Sequence, residues 1–317
     1  MKPVPTNEDR IWAVIAHLSA IAFGMGILLP IIGWSEQRRK SNYTSFQCLQ
    51  ALGYQSLGYT VWFLIYLLVI FALVISMFIA LPLAAEGNMK FDTIMLGWMI
   101  FFIVFVFGML GLYLLLPVVA AVSCALGRDF RYPILGDRLA RYLGYDPESN
   151  SEEQTWLIED HEDRWVAAMG HFSILIMLWG MLAPLTAWIL QGKRSLFLKF
   201  QSIQTLVYQA GVFFVFLGAG FIAMAGMVIF PITMWASGSH DPNAPMGMIG
   251  IVFLLLIMLI ALAIILLIPL FHVLGQYAGY RVLKGDDYHY PVLGKLVEKW
   301  IARQTSLSES MPPGTAA

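Results

Sequence analysis

Six stretches of this 317-residue chain contain no Asp, Glu, Lys or Arg: residues 11–35, 41–85, 93–127, 165–192, 200–240 and 242–280. They hold 213 residues, so 39 charges crowd into the other 104. A bilayer-crossing helix needs roughly 20 apolar residues, and each stretch is long enough for one. A chain in lipid must satisfy its own backbone hydrogen bonds, which a helix does within a single segment. A β-barrel would instead alternate in short segments, whereas these runs are continuously apolar. The expected fold class is all-α: a polytopic helical membrane protein with about six transmembrane helices. Residues 41–85 exceed one simple span. Their Gln-rich part, 46–55, is expected at the interface or inside the bundle, with the span at 57–81; residues 200–240 divide the same way.

Composition narrows the class further. Hydrophobic residues make up 59% and charged residues 12%, against about 45–50% and 25% in soluble domains. That excludes an ordinary soluble enzyme and a disordered chain. A net charge of −1 offers no basic surface to nucleic acid. Cys48 and Cys124 form neither a disulfide framework nor a CxxC pair.

Shifted by 154 residues, the chain overlays itself. Glu8-Asp9-Arg10 falls on Glu162-Asp163-Arg164, His17 and Ser19 on His171 and Ser173, Pro30 on Pro184 and Trp34 on Trp188. Gln47, Gln50 and Tyr54-Gln55 fall on Gln201, Gln204 and Tyr208-Gln209; in all, 18 of 48 positions agree between 8–55 and 162–209. A second block repeats at 127–136 and 285–294, with six of ten identical. Two homologous three-helix units follow. The first covers 8–145, an acidic linker 146–163, the second 164–303, and a Ser/Pro/Gly-rich tail, expected to be disordered, 304–317. A signal peptide at 11–35 is rejected, because the same segment recurs in mid-chain.

The repeated blocks resemble a widespread bacterial membrane domain of unknown function. The resemblance rests on Asp9-Arg-Ile-Trp-Ala-Val-Ile-Ala-His-Leu-Ser19, Pro30, Phe46-Gln47 and Phe130-Arg-Tyr-Pro133, and more loosely on their second copies. The same superfamily includes the twenty-kilodalton membrane subunit of the chloroplast inner-envelope protein translocon, to whose Arg-Phe-x-x-Met-Gln block Lys199-Phe-Gln-Ser-Ile-Gln204 is similar. The resemblance implies the fold, and a translocation-related role by analogy alone.

Basic residues favour short cytoplasmic loops. Arg38, Arg39 and Lys40 follow the first helix of repeat 1; Lys193 and Arg194 follow that of repeat 2. Lys295, Lys299 and Arg303 lie on a closing amphipathic helix whose apolar positions are Leu293, Leu296, Val297, Trp300 and Ile301. These eight basic residues are expected at the membrane surface, with the amphipathic helix on the cytoplasmic face or docked on a partner protein. Both repeats thus prefer their first loop and their end inside, which three crossings per repeat cannot satisfy twice. Six full spans leave 11 basic residues on one side and 8 on the other. Either the repeats are antiparallel, as in many transporters, or each first segment dips in and returns at Gly24, Gly26 and Pro30, or at Gly180 and Pro184. Six spans with inverted repeats are the preferred arrangement.

One polar seam is expected per repeat. His17 and Ser19 with Gln47, Gln50 and Tyr54 form the first; His171 and Ser173 with Gln201, Gln204 and Tyr208 form the second. The Gln and Tyr positions at i, i+3 and i+7 share one helix face. An intramembrane His is a functional candidate by default, but interhelical hydrogen bonding is the commoner use. No i, i+4 His or carboxylate partner argues for a metal, and no Walker loop, nucleophile elbow or dinucleotide fingerprint appears, so no catalytic residue, metal or cofactor is expected. The 17 Met residues read as apolar packing. The leading expectation is a non-enzymatic scaffold or accessory module, multi-pass in the bacterial cytoplasmic membrane. Its partners would be the lipid bilayer and other membrane proteins or a second copy of itself. The alternative is a small transporter or channel using the His-Gln-Tyr seams; a lipid-acting membrane enzyme stands third.

Overall fold

The computed structural model describes residues 4–85, 91–147, 156–236 and 245–310. Most of the acidic linker (148–155), the end of the tail (311–317) and the two far connections (86–90 and 237–244) lie outside them. Among the described residues every regular element is a helix. In repeat 1, α1 (Asn7–Leu18) leads through a 3-10 segment (Ser19–Ile27) into α2 (Leu28–Gln37). The long helices α3 (Asn42–Ala85) and α4 (Phe91–Ala125) and the short α5 (Leu135–Leu143) follow. Repeat 2 has α6 (Glu159–Phe172), a 3-10 segment (Ser173–Met181), α7 (Leu182–Gln191), α8 (Leu196–Ala236), α9 (Pro245–Leu283) and α10 (Leu293–Ser310). Six helical segments are long and apolar enough to cross a membrane. Helix α10 ends at Ser310, inside the segment expected to be a disordered tail.

The caps are local. Thr6 and Asp9 close a capping box on α1, which satisfies backbone N–H groups that lack helical partners. Ser41 and Ser195 accept the N–H of Thr44 and Leu198 at the starts of α3 and α8.

Two of the six apolar segments do not run straight. Phe23 (φ 49°, ψ −135°) and Met177 (φ 53°, ψ −126°) break the helix at corresponding positions. A non-glycine residue in such a region costs about 1–3 kcal/mol, so surrounding packing must hold it. The chain then doubles back. A Cβ on Gly26 would sit 1.9 Å from the Ser19 carbonyl oxygen, and one on Gly180 would sit 2.0 Å from that of Ser173, so only glycine permits the approach. Ser173 Oγ lies within 2.8 Å of the Gly180 carbonyl and 2.6 Å of the Gly170 carbonyl, so its single proton is shared across the fold-back. Further along, a Cβ on Gly33 would lie 3.1 Å from the Trp12 ring, and one on Gly170 would lie 3.7 Å from Pro184.

Each first segment is therefore a helical hairpin that returns to the side it entered, and the preferred inverted arrangement is corrected. With hairpins, α3/α4 and α8/α9 are the crossing pairs and both repeats point the same way. The charge distribution then makes sense. Lys90 is the one Lys or Arg in the two far connections, so nearly all basic residues share one side, the one-sided clustering that the positive-inside rule describes.

Helix α3, at 44 residues, is about 66 Å long, twice the roughly 30 Å hydrocarbon core. Residues 44–56 are nearly all buried, whereas most of 57–79 are half-buried or exposed. The hairpins, the bases of the long helices, α5 and the base of α10 form a dense head on two cores, a large one that includes Trp34, Phe46, Leu52, Trp165, Met169 and Leu198 and a smaller one with Ile174, Tyr208, Val212 and Tyr290, bridged by Tyr288. The hairpin windows are 50% and 44% buried, against 6–11% for the four long helices. Non-helical backbone near a membrane survives only when covered by protein in this way.

Candidate functional site

The seams lie inside the head and share most of their contacts, with two differences: Asp129 joins only the first, and Thr205, whose Oγ1 lies 3.0 Å from His171 Nδ1, joins only the second. In repeat 1, Gln47 Nε2 donates to Asp129 Oδ1 (2.9 Å) and to the Phe130 carbonyl (3.0 Å), which fixes its Oε1 as an acceptor. His17 Nε2 sits 3.0 Å from that Oε1 and Nδ1 sits 3.0 Å from the Tyr132 hydroxyl. The arrangement places a proton on Nε2, and in the neutral imidazole Nδ1 then accepts from the Tyr132 hydroxyl. Gln50 donates to the Phe130 carbonyl and accepts from the Tyr132 backbone N–H (2.9 Å). Repeat 2 pairs His171 with Tyr290 (3.0 Å) and Gln201 (3.1 Å); Gln201 and Gln204 hold the Tyr288 carbonyl, and Gln204 accepts the Tyr290 N–H.

A second layer closes the hairpins. Ser19 Oγ donates to the Ala16 carbonyl and accepts from Gln55, while Ser173 does the same with Gly170 and Gln209. Tyr54 stacks on Tyr132 (4.2 Å between centroids) and donates to the Tyr113 carbonyl on α4; Tyr208 stacks on Tyr290 (4.0 Å) and donates to that of Phe271 on α9. All ten expected seam residues thus fall in two closed networks, although neither Tyr54 nor Tyr208 is bonded to its His. Both His side chains are fully buried.

Sequence reasoning missed Tyr132, Tyr290 and Asp129. Their signal was the repeated 127–136 block, whose Tyr-Pro segment the Gln pair grips. Burial holds the Tyr132 and Tyr290 hydroxyls well above the usual phenol range, so they remain donors. Burial also raises the Asp129 carboxyl, against the opposing pull of Arg131 and hydrogen bonds from Tyr145 and Gln47.

The surface-basic expectation needs correction at Arg38. Its side chain is 4% exposed and reaches across the repeat boundary to Asp163 (2.8 Å), Glu162 (3.2 Å) and Glu159 (3.3 Å). The Glu162 contact is at ion-pair distance but off the hydrogen-bond line. Arg39 pairs with Glu159 at the rim (2.8 Å). The acidic residues opening α6 thus dock on the basic loop of repeat 1. Trp34 Nε1 donates to Glu162, Trp165 Nε1 to the Leu49 carbonyl and Gln191 to Ser35, all between repeats. Lys40, Lys193, Arg194, Lys295, Lys299 and Arg303 are exposed.

Among the described residues, no group of three His, Cys, Asp or Glu is placed to hold a metal ion. The geometry performs fixation: neutral donors and acceptors pin the hairpin, the long helix and the Tyr-Pro segment together.

Residues 8–139 and 162–297 each match the model of the Magnetosome magnetite crystal formation protein family. No curated protein and no solved structure matches the chain. The two matched segments coincide with the two hairpin-bearing repeats, so the chain is a multi-pass membrane protein that belongs to the Magnetosome magnetite crystal formation protein family, with that family's domain present twice.

Proposed function

We propose that this protein is a non-enzymatic membrane scaffold, an accessory module of the bacterial cytoplasmic membrane or of vesicles drawn from it. The observation that carries the reading is the closure of both seams: each His spends both ring nitrogens on side chains of its own repeat. Transport or proton handling needs such groups to face water or substrate, and burial leaves these no access. The family description supports a place at the membrane where magnetite forms. There the protein would organise lipid and neighbouring proteins around the crystal, without itself holding iron. A translocation role rests on the resemblance to the translocon subunit alone and gains nothing from the geometry.

Crosslinking in native membranes followed by purification tests the scaffold. A stable protein partner is expected, and a chain that crosslinks to nothing overturns it. The double variant His17→Ala, His171→Ala separates the readings. A scaffold loses stability, whereas a transporter keeps its fold and loses flux.

A further inference from the structure

The two repeats differ in one place that the scaffold role leaves unused. In repeat 1, α3 and α4 part to leave a groove of about 690 Å³. Its walls include Val61 and Trp62 on α3, Met109 and Leu112 on α4, and its end is closed by α5. Trp165 and Leu283 of repeat 2 also contribute. Val61 and Leu112 are 52% and 59% exposed, so the groove opens on the lipid-facing surface. Arg138 of α5 is the one charged residue lining it. Arg138 is exposed and makes no ion pair or hydrogen bond among the described residues.

Repeat 2 differs at positions that line this groove. Val212 stands where Gly58 lines the groove, and is buried in a cluster with Tyr208 and Tyr290. Leu296 stands where Arg138 does, by the 158-residue offset of the second repeated block. Lower down, α8 and α9 meet closely, a Cβ on Gly226 falling 2.7 Å from Ile257.

We infer that the groove is a binding site for one anionic phospholipid of the head-side leaflet. An acyl chain lies between α3 and α4, and the headgroup phosphate pairs with Arg138. An apolar channel open to lipid takes a chain without a desolvation cost. An unpaired guanidinium at its head-side end matches a phosphate with two parallel hydrogen bonds. Basic pockets between membrane helices on the cytoplasmic side recognise acidic headgroups on this principle.

Native mass spectrometry of the full chain in detergent, titrated with phosphatidylglycerol or phosphatidylcholine, tests the site. The wild type is expected to retain one phosphatidylglycerol in preference to phosphatidylcholine. Arg138→Ala should lower that preference about fivefold, the equivalent of roughly 1 kcal/mol for one basic residue at an anionic surface, and Arg138→Lys should restore part of it. Leu112→Trp, on an exposed face that tolerates bulk, should block retention of either lipid. Equal retention of both lipids by the wild type, or an unchanged preference in Arg138→Ala, overturns the assignment. Loss of the retained lipid in Lys295→Ala, Lys299→Ala, with Arg138 intact, overturns it too by moving the lipid to α10.

Discussion

Gln37 donates a 2.8 Å hydrogen bond to Glu8, 29 positions earlier in the chain. A straight helix of that length would hold them about 44 Å apart, so both ends of the first apolar segment lie on one side of any bilayer. Reporter fusions in the two far connections, at Asn88 and Gly238, are expected to read the same side, opposite to a fusion after Arg303. Opposite readings at Asn88 and Gly238 would restore inverted repeats and sink the hairpins.

The Tyr132 hydroxyl supplies the proton that His17 Nδ1 accepts, and Tyr290 does so for His171. Tyr132→Phe leaves a buried nitrogen without its donor, at a cost of about 1–3 kcal/mol. Tyr290→Phe should cost less, because Thr205 Oγ1 lies 3.0 Å from the same His171 nitrogen and can donate in its place. Thermal unfolding in detergent, followed by Trp fluorescence, measures both. If Tyr132→Phe is as stable as the parent, the seam does not carry the hairpin.

What could be read in the chain, and what could not, follows from where the partners lie. Helical class, span positions and the duplicated seams are local or periodic, so charge-free runs and the 154-residue offset expose them. The hairpin breaks fall on Phe23 and Met177, residue types that do not announce a positive φ. Gly26, Gly180 and the conflict over basic loops are the signs of the fold-back that the chain carries. Arg38 looks like any cytoplasmic-loop cation; its burial depends on Glu159, Glu162 and Asp163, more than 120 positions away, docking from the other repeat. No local pattern encodes that contact. The groove is illegible for a similar reason, since Gly58 and Arg138 meet only once α3, α4 and α5 are in place.

Arg38 and Arg39 are neighbours with opposite expected effects. Arg38→Ala strands Glu162 and Asp163 in the repeat interface without their cation, and breaking a buried pair costs about 3–5 kcal/mol. Arg39 pairs with Glu159 in largely exposed surroundings, where such pairs contribute about 0–1 kcal/mol. Chemical unfolding in detergent should therefore separate the two variants widely. A similar small loss in both would mean that the repeats are held by Trp34, Trp165 and apolar packing alone.

Asp129 gives a pH dependence whose sign can be worked out. Its carboxyl is raised in the folded head, burial being the main cause, so the folded state holds a proton at pH values where the unfolded chain has released it. Stability then falls as pH rises through the interval between the unfolded carboxylate range and the folded value, and its contribution levels off on either side. Asp129→Asn keeps an oxygen to accept from Gln47 and Tyr145 and removes the charge. The difference in unfolding free energy between Asp129→Asn and wild type should grow in favour of Asn as pH rises from below the ordinary aspartate value toward neutrality. A difference that stays flat over this range, measured on matched samples in one detergent, would show that Asp129 is no more costly charged in the head than in the unfolded chain. A difference that shrinks would show that Arg131, with the hydrogen bonds from Tyr145 and Gln47, outweighs burial.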